Sequence, residues 1–323
     1  MKILFLESKN ATERLVSKEA LQDCEFEFTY YGEKKYAFRL SGLKKYDLIV
    51  NSNYSNALHI KMVYYAKKKG ISTVLLQDGV YDWANSYVNN KIPLYDVVFH
   101  DLFLFFGTDR ERRLLEGNTI NSRKVLKYVP RYIPKCGKLM KDKKYDFLIT
   151  TANSAYFNEQ EFVALTQVIK RTIQELDNCG LTYKLRIFDR KLVEALSLKN
   201  EVFNDTDCCF EESVSDVRAM ITSKSTVTIE ALYLDLPVAE FVYRNTPILS
   251  SPAWCIHEAI DYAATFKSML SGEISRMNYQ RSYLQGHMSV STEKDIEHLV
   301  SSIKISEILK RKIVVFIKKV IGK

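Results

Sequence analysis

Short apolar runs that mostly do not alternate with polar residues, set between helical stretches, recur along this whole sequence, and few folds accept that pattern. KILFLES (2–8), EFEFTYY (25–31), YDLIVNS (46–52), STVLLQD (72–78) and DLFLFFG (101–107) read as strands rich in Ile, Leu, Val and Phe. NALHIKMVYYAKKKG (56–70) has apolar residues near helical spacing and a Lys-rich end closed by Gly70, which predicts a helix with its cap. Strands that do not alternate are buried on both faces, so the sheet is mostly parallel and covered by helices on both sides. KVLKYVPRYIP (124–134) then reads as a short last strand and KCGKLMKDKK (135–144) as a solvated linker.

The alternation then restarts. YDFLITT (145–151), TYKLRIF (182–188), AMITSKS (219–225) and LPVAEFV (236–242) read as strands, with helices over 158–180 and 225–234. A chain of 323 residues exceeds what a single core usually carries. The expectation is therefore an α/β protein with two tandem Rossmann-like domains, 1–138 and 139–303, facing a cleft, with a separate helix over 304–323. Ligands of such sheets bind at the carboxyl ends of the strands.

Composition removes several classes. With 46% hydrophobic and 27% charged residues, and only 11 Gly and 6 Pro, the chain is neither disordered nor collagen-like. The start, MKILFLESKNATERL, meets Glu7 and Lys9 too soon for a signal-peptide core, so a cytoplasmic protein is expected. Six cysteines, at 24, 136, 179, 208, 209 and 255, show no C-x-x-C spacing, so neither zinc nor a disulfide framework is expected. P-loop, dinucleotide, zincin and hydrolase-elbow motifs are absent.

The segment most suggestive of chemistry is ITSKSTVTIEALYLDLPVAEF (221–241). A buried strand breaks into Ser223, Lys224, Ser225 and Thr226, which open a helix carrying Glu230. Free backbone N–H groups and the positive end of the helix dipole there suit a phosphate or diphosphate, and Glu230 could bond a ribose or sugar hydroxyl. An ordinary helix cap would use the same residues. Thr150, Thr151 and Asn153, at the end of the domain's first strand, are candidates for the nucleotide. In the first domain Asp78 follows the apolar run Val74-Leu75-Leu76, so it emerges at a strand's carboxyl end beside Gly79, which permits a sharp turn. A carboxylate there could act as general base or as nucleophile, and also fits a simple turn residue. Trp83 offers a flat face for a sugar or for packing. Glu7 ends the first strand on the same edge and could contact an acceptor; His100-Asp101 is a second candidate, which also fits a structural pair of acid and histidine.

The string S-T-V-x-I-E-A-L-x-L-x-x-P-V (225–238) resembles the donor-binding segment of GT-B glycosyltransferases that build bacterial capsule, lipopolysaccharide and teichoic-acid polymers. Leu76-Gln77-Asp78-Gly79 is similar to the acidic strand-end motif of sialyl- and Kdo transferases. FFGTDRERRLLEG (105–117) with Tyr128-Val129-Pro130-Arg131-Tyr132 resembles the segment closing their amino-terminal domain, and FLITTAN (147–153) the strand opening the carboxyl-terminal one. The resemblance implies a metal-independent transferase without cofactor, taking a CMP- or UDP-linked sugar to a lipid-linked glycan or growing polysaccharide. Asp78 would be catalytic. Thr151, Asn153, Ser223, Ser225, Thr226 and Glu230 would hold the donor, and Glu7, Gln77, Gly79 and Trp83 the acceptor. One departure stands out: Phe188-Asp189 occupies the place of a His-Pro dipeptide, so Arg186, Arg190 or Lys191 would supply the missing positive charge. A CDP-glycerol-type polyol-phosphate transferase, a nucleotide-sugar 2-epimerase and a non-catalytic assembly partner share the two-domain plan.

The charge is unevenly spread. Of the formal +8, residues 304–323 (KISEILKRKIVVFIKKVIGK) carry +6 and the rest only +2. As a helix this segment lines Ile305, Leu309, Ile313, Phe316, Ile317 and Val320 on one face with lysines around it. That pattern predicts an interfacial helix on an anionic membrane at the inner face of the plasma membrane; a helix docked on the first domain would look alike. No nucleic-acid module appears.

Overall fold

The computed structural model describes residues 1–17, 21, 25–53, 56–80, 100–117, 125–133, 142–197, 202–245 and 251–322. The chain forms two compact units, each built on a wholly parallel sheet. In the first unit the strands are Lys2–Phe5 (β1), Glu27–Thr29 (β2), Leu48–Asn51 (β3), Ser72–Leu76 (β4), Leu102–Phe105 (β5) and Val125–Lys127 (β6), in the order β2-β1-β3-β4-β5-β6. Every residue of β3, β4 and β5 is buried, as expected of strands covered on both faces. Lys9–Leu15 (α1), Gly32–Tyr36 (α2), Ala57–Lys68 (α3) and Asp109–Gly117 (α4) connect them. The Asn56 side chain caps α3, and Gly70 follows its end at φ +71°, a conformation that favours glycine.

The second unit has Tyr145–Thr150 (β7), Tyr183–Arg186 (β8), Val217–Thr222 (β9), Val238–Phe241 (β10) and Trp254–Ile256 (β11), in the order β11-β10-β9-β7-β8. Its helices are Glu159–Asn178 (α5), Arg190–Leu196 (α6), Phe210–Ser215 (α7), Thr226–Tyr233 (α8) and Tyr262–Ser271 (α9). One core joins Phe147, Ile149, Leu165, Ile169, Leu185 and Ile221 with Phe266. In both sheets the strand order reverses beside the first strand, between β1 and β3 and between β7 and β9. At such a reversal the connecting helices leave to opposite faces, and the strand ends splay into a crevice.

The second unit takes in Ile133–Gln285, against the expected 139–303. The chain leaves the second unit within Ile274–Met288 (α10), and Gly286–Lys323 belongs to the first unit, together with Glu293–Ser301 (α11) and Glu307–Ile321 (α12). The expected boundary at 303/304 is thus replaced by one near 285.

The interfacial helix predicted for 304–323 is corrected as well. The side chains of Ile313, Phe316, Ile317, Val320 and Ile321 are buried, and the Phe316 ring lies 6.5 Å from the rings of Phe5 and Phe26. Lys318 pairs with Glu293 and Glu297 of α11 at 3.1 and 3.0 Å. The apolar face meant for lipid is packed inside the first unit, because a hydrophobic stripe of this width buries itself equally well against a protein core. No helix among the described residues is long and apolar enough to cross a membrane.

Candidate functional site

The carboxyl edge of the second sheet brings most of the predicted donor residues together. Thr150 pairs with Arg186 on one side and with Thr222 on the other, so β8, β7 and β9 end level with one another. At this reversal point the chain supplies Thr151 and Asn153 from β7, and Ser223 to Thr226 from β9. Ser223 is fully buried, and its hydroxyl accepts the Ala152 N–H at 2.8 Å, tying the two strand ends together. Ser223 is therefore a fixed part of the floor. Removing the hydroxyl by Ser223→Ala leaves the half-buried Ala152 N–H without its partner and is expected to destabilise the protein by about 1 kcal/mol in urea unfolding.

Ser225 stands at the N-cap of α8 in an extended conformation, and its side chain makes no capping bond. No acidic residue occupies the first turn of α8. A helix start of this kind points its first N–H groups outward and, with Lys224 and the Thr226 hydroxyl beside them, favours an anion. Asn153 is exposed, whereas Glu230 lies one turn inside α8 and is buried.

At the end of β8 the place of the absent His-Pro is filled by a different construction. Asp189 caps α6, accepting the Leu192 N–H at 3.1 Å on one oxygen and the Tyr156 hydroxyl at 2.7 Å on the other. Burial and this bond to Asp189 push the Tyr156 hydroxyl up to about 12, so it remains a donor. The Arg186 guanidinium lies 4.7 Å from the centre of the Phe188 ring and donates to Ser213 Oγ at 3.1 Å and to the Cys208 carbonyl at 3.2 Å. Lys191 pairs with Glu159 at 3.0 Å, and Arg190 is exposed at the first residue of α6.

The matching edge of the first sheet carries Asp78 just beyond β4. Its backbone is held by two tyrosines four residues apart: Tyr128 donates to the Gln77 carbonyl, and Tyr132 to the Asp78 carbonyl at 2.7 Å. Burial holds the Tyr128 hydroxyl well above its ordinary value, which keeps it protonated as a donor. Arg14 lies 4.6 Å from the centre of the Tyr132 ring. Asp78 is exposed at the strand end, yet the surrounding protein raises its carboxyl above the ordinary range; its own backbone N–H and Arg14 oppose that rise, and Glu7 adds to it.

Two residues expected at the acceptor serve the scaffold. The Gln77 side chain is buried, donating to the Gly79 carbonyl at 2.5 Å and accepting the Phe106 N–H at 3.3 Å. Glu7 Oε1 accepts the N–H groups of Ser52 and Asn53 at 2.6 and 2.9 Å, so the reversal point between β1 and β3 is closed by a carboxylate of the protein itself. His59, which the sequence pattern places on an apolar helix face, stands behind it, with Nδ1 3.1 Å from the Asn53 carbonyl and Nε2 3.1 Å from Glu33 Oε2. Gly79 is partly buried at the turn, and Trp83 lies outside the described residues. Asp101 accepts the Thr73 N–H and pairs with Lys67, and His100 bonds Asn51, so that pair is structural.

No protein-family model matches the chain, and no curated protein sequence does. Among solved structures it is similar to Staphylococcus aureus MnaA in a co-structure with UDP, at 13% identity over 98% of this chain and 95% of that one, with a TM-score of 0.58. The UDP-N-acetylglucosamine 2-epimerase of Rickettsia bellii gives 12% identity over 94% and 96%, with a TM-score of 0.60. The pneumococcal O-GlcNAc transferase GtfA, in complex with UDP and GlcNAc, gives 15% over 85% and 57%, with a TM-score of 0.51. The likeness lies in the fold: both sheets and their flanking helices form the two-unit GT-B architecture expected from the sequence.

Proposed function

We propose that this chain is an enzyme acting on a UDP-linked sugar, and that its reaction is epimerisation at C2 of an N-acetylhexosamine. The observation that carries the reading is the level edge of β7, β8 and β9 ending at an N-cap without a side-chain bond, a place built for a diphosphate. The likeness, over 94% of this chain, to the UDP-N-acetylglucosamine 2-epimerase of Rickettsia bellii supports C2 as the reacting position. Ser225, Thr226 and Lys224 bind the diphosphate, and Thr151 and Asn153 orient the sugar nucleotide. Asp78 takes the proton from carbon 2 as the bond from carbon 1 to UDP breaks and a double bond forms between the two carbons; a proton then returns to the opposite face of carbon 2 as UDP adds back to carbon 1.

Glycosyl transfer to a lipid-linked or growing surface polysaccharide is the second reading, favoured by one observation. Glu7 is committed to the ends of the strands, so among the carboxylates singled out at this edge only Asp78 has no role in the scaffold. A single base suits removal of a proton from an acceptor hydroxyl as its oxygen attacks carbon 1 and the nucleoside diphosphate leaves. Proton NMR of UDP-GlcNAc with the full chain and no acceptor separates the two. New signals of the C2 epimer are expected from the first reading. An unchanged spectrum, with UDP released only when an acceptor glycan is added, would replace it by the second.

A further inference from the structure

We infer that Phe188 is the platform on which the base of the bound nucleotide stacks, an inference that rests on the reading above and adds where the base lies. Phe188 is 46% exposed, a large aromatic ring left partly open to solvent, while the neighbouring ends of β7 and β9 carry Thr151, Asn153, Ser223 and Lys224. One face of the ring is covered by the Arg186 guanidinium, which Ser213 and the Cys208 carbonyl hold in place, and Phe210 flanks the same guanidinium at 5.9 Å. The neighbouring Asp189 is fixed by its two hydrogen bonds, so the backbone under the ring is rigid. A flat ring held against a fixed cation is already organised for stacking and loses little freedom when a base arrives.

The spacing fits as well. Phe188 follows β8 and the α8 start follows β9, with β7 between them, so at ~4.8 Å per strand the two places are about 10 Å apart along the sheet edge. That separation matches a nucleoside diphosphate lying across the edge, diphosphate at α8 and base at Phe188. A cavity of about 440 Å³ is lined by the 153–159 loop and by Asp189, the residue that follows Phe188, and gives the nucleoside room. The aromatic ring standing in place of His-Pro thus grips the nucleotide by its base.

Calorimetric titration of the full chain with UDP and with inorganic pyrophosphate tests this. Phe188→Ala is expected to weaken UDP binding about tenfold or more and to leave pyrophosphate unchanged. Phe188→Trp should keep the affinity and show fluorescence quenching as UDP is added. Phe188→Ala that binds UDP as tightly as the original, or that loses pyrophosphate in equal measure, overturns the platform while the diphosphate site stands. An original chain that binds UDP no better than pyrophosphate also overturns it. Failure of the original chain to bind either overturns the proposed function together with the inference.

Discussion

Asp78→Asn is expected to lower turnover by about 10²- to 10⁴-fold while nucleotide affinity stays as it is. The substitution keeps the size of the side chain and the backbone carbonyl that Tyr132 binds, so the turn itself is preserved. What is lost is the ability to accept a proton. Because the surrounding protein raises the carboxyl above the ordinary aspartate range of about 3.9, the proton is released later on a rising pH scale. The active form is the carboxylate. Activity should therefore fall as pH drops through that raised value, with its acid limb above that of an ordinary aspartate. Arg14 works against the rise, so Arg14→Met should move the limb to still higher pH. A kcat–pH profile of the three proteins checks all of this, and full turnover in Asp78→Asn would remove Asp78 from the chemistry.

Removing residues 304–323 should abolish folding of the first unit. The five side chains of α12 that would be lost are each worth roughly 1.5–3 kcal/mol of burial, a sum of the same size as the ~5–15 kcal/mol by which a typical protein is stable. The shortened chain is expected to aggregate or to bind a hydrophobic dye. The milder Phe316→Ala should cost about 3–5 kcal/mol and lower the unfolding midpoint by roughly 10 °C in calorimetry. A shortened chain that stays soluble, unfolds cooperatively and has merely lost affinity for anionic vesicles would restore the membrane role for this helix.

That helix marks the limit of what the sequence could reveal. Uninterrupted runs such as STVLL and LFLF name their environment, since only a strand covered on both faces tolerates them, and the caps at Asn56 and Gly70 are local signals. The two-unit α/β plan and the strand-end positions of Asp78 and Ser223 were legible for that reason. An apolar stripe ringed by lysines reads the same whether lipid or protein covers it, so the return of 286–323 to the first unit was not. The clasp of Tyr128 and Tyr132 on Gln77 and Asp78 joins residues some fifty positions apart. No local pattern encodes such a contact. Glu7 reads as a candidate for the acceptor because its partners, Ser52 and Asn53, are brought to it only by the pairing of β1 with β3. At three residues, β11 is too short to show a period at all.

The return of the chain at Gly286 also sets an order of events in time. On a ribosome the strands β1 to β6 emerge first, but the surface around Phe5 and Phe26 waits for Phe316. Synthesis of Ile133–Gln285 at ~5–20 residues per second takes roughly 8 to 30 s. During that interval the second unit, which is continuous in sequence, can complete its core, while the first holds an uncovered aromatic patch. The half of the molecule made first is therefore the half finished last, and the seconds between are when chaperones have the most to protect.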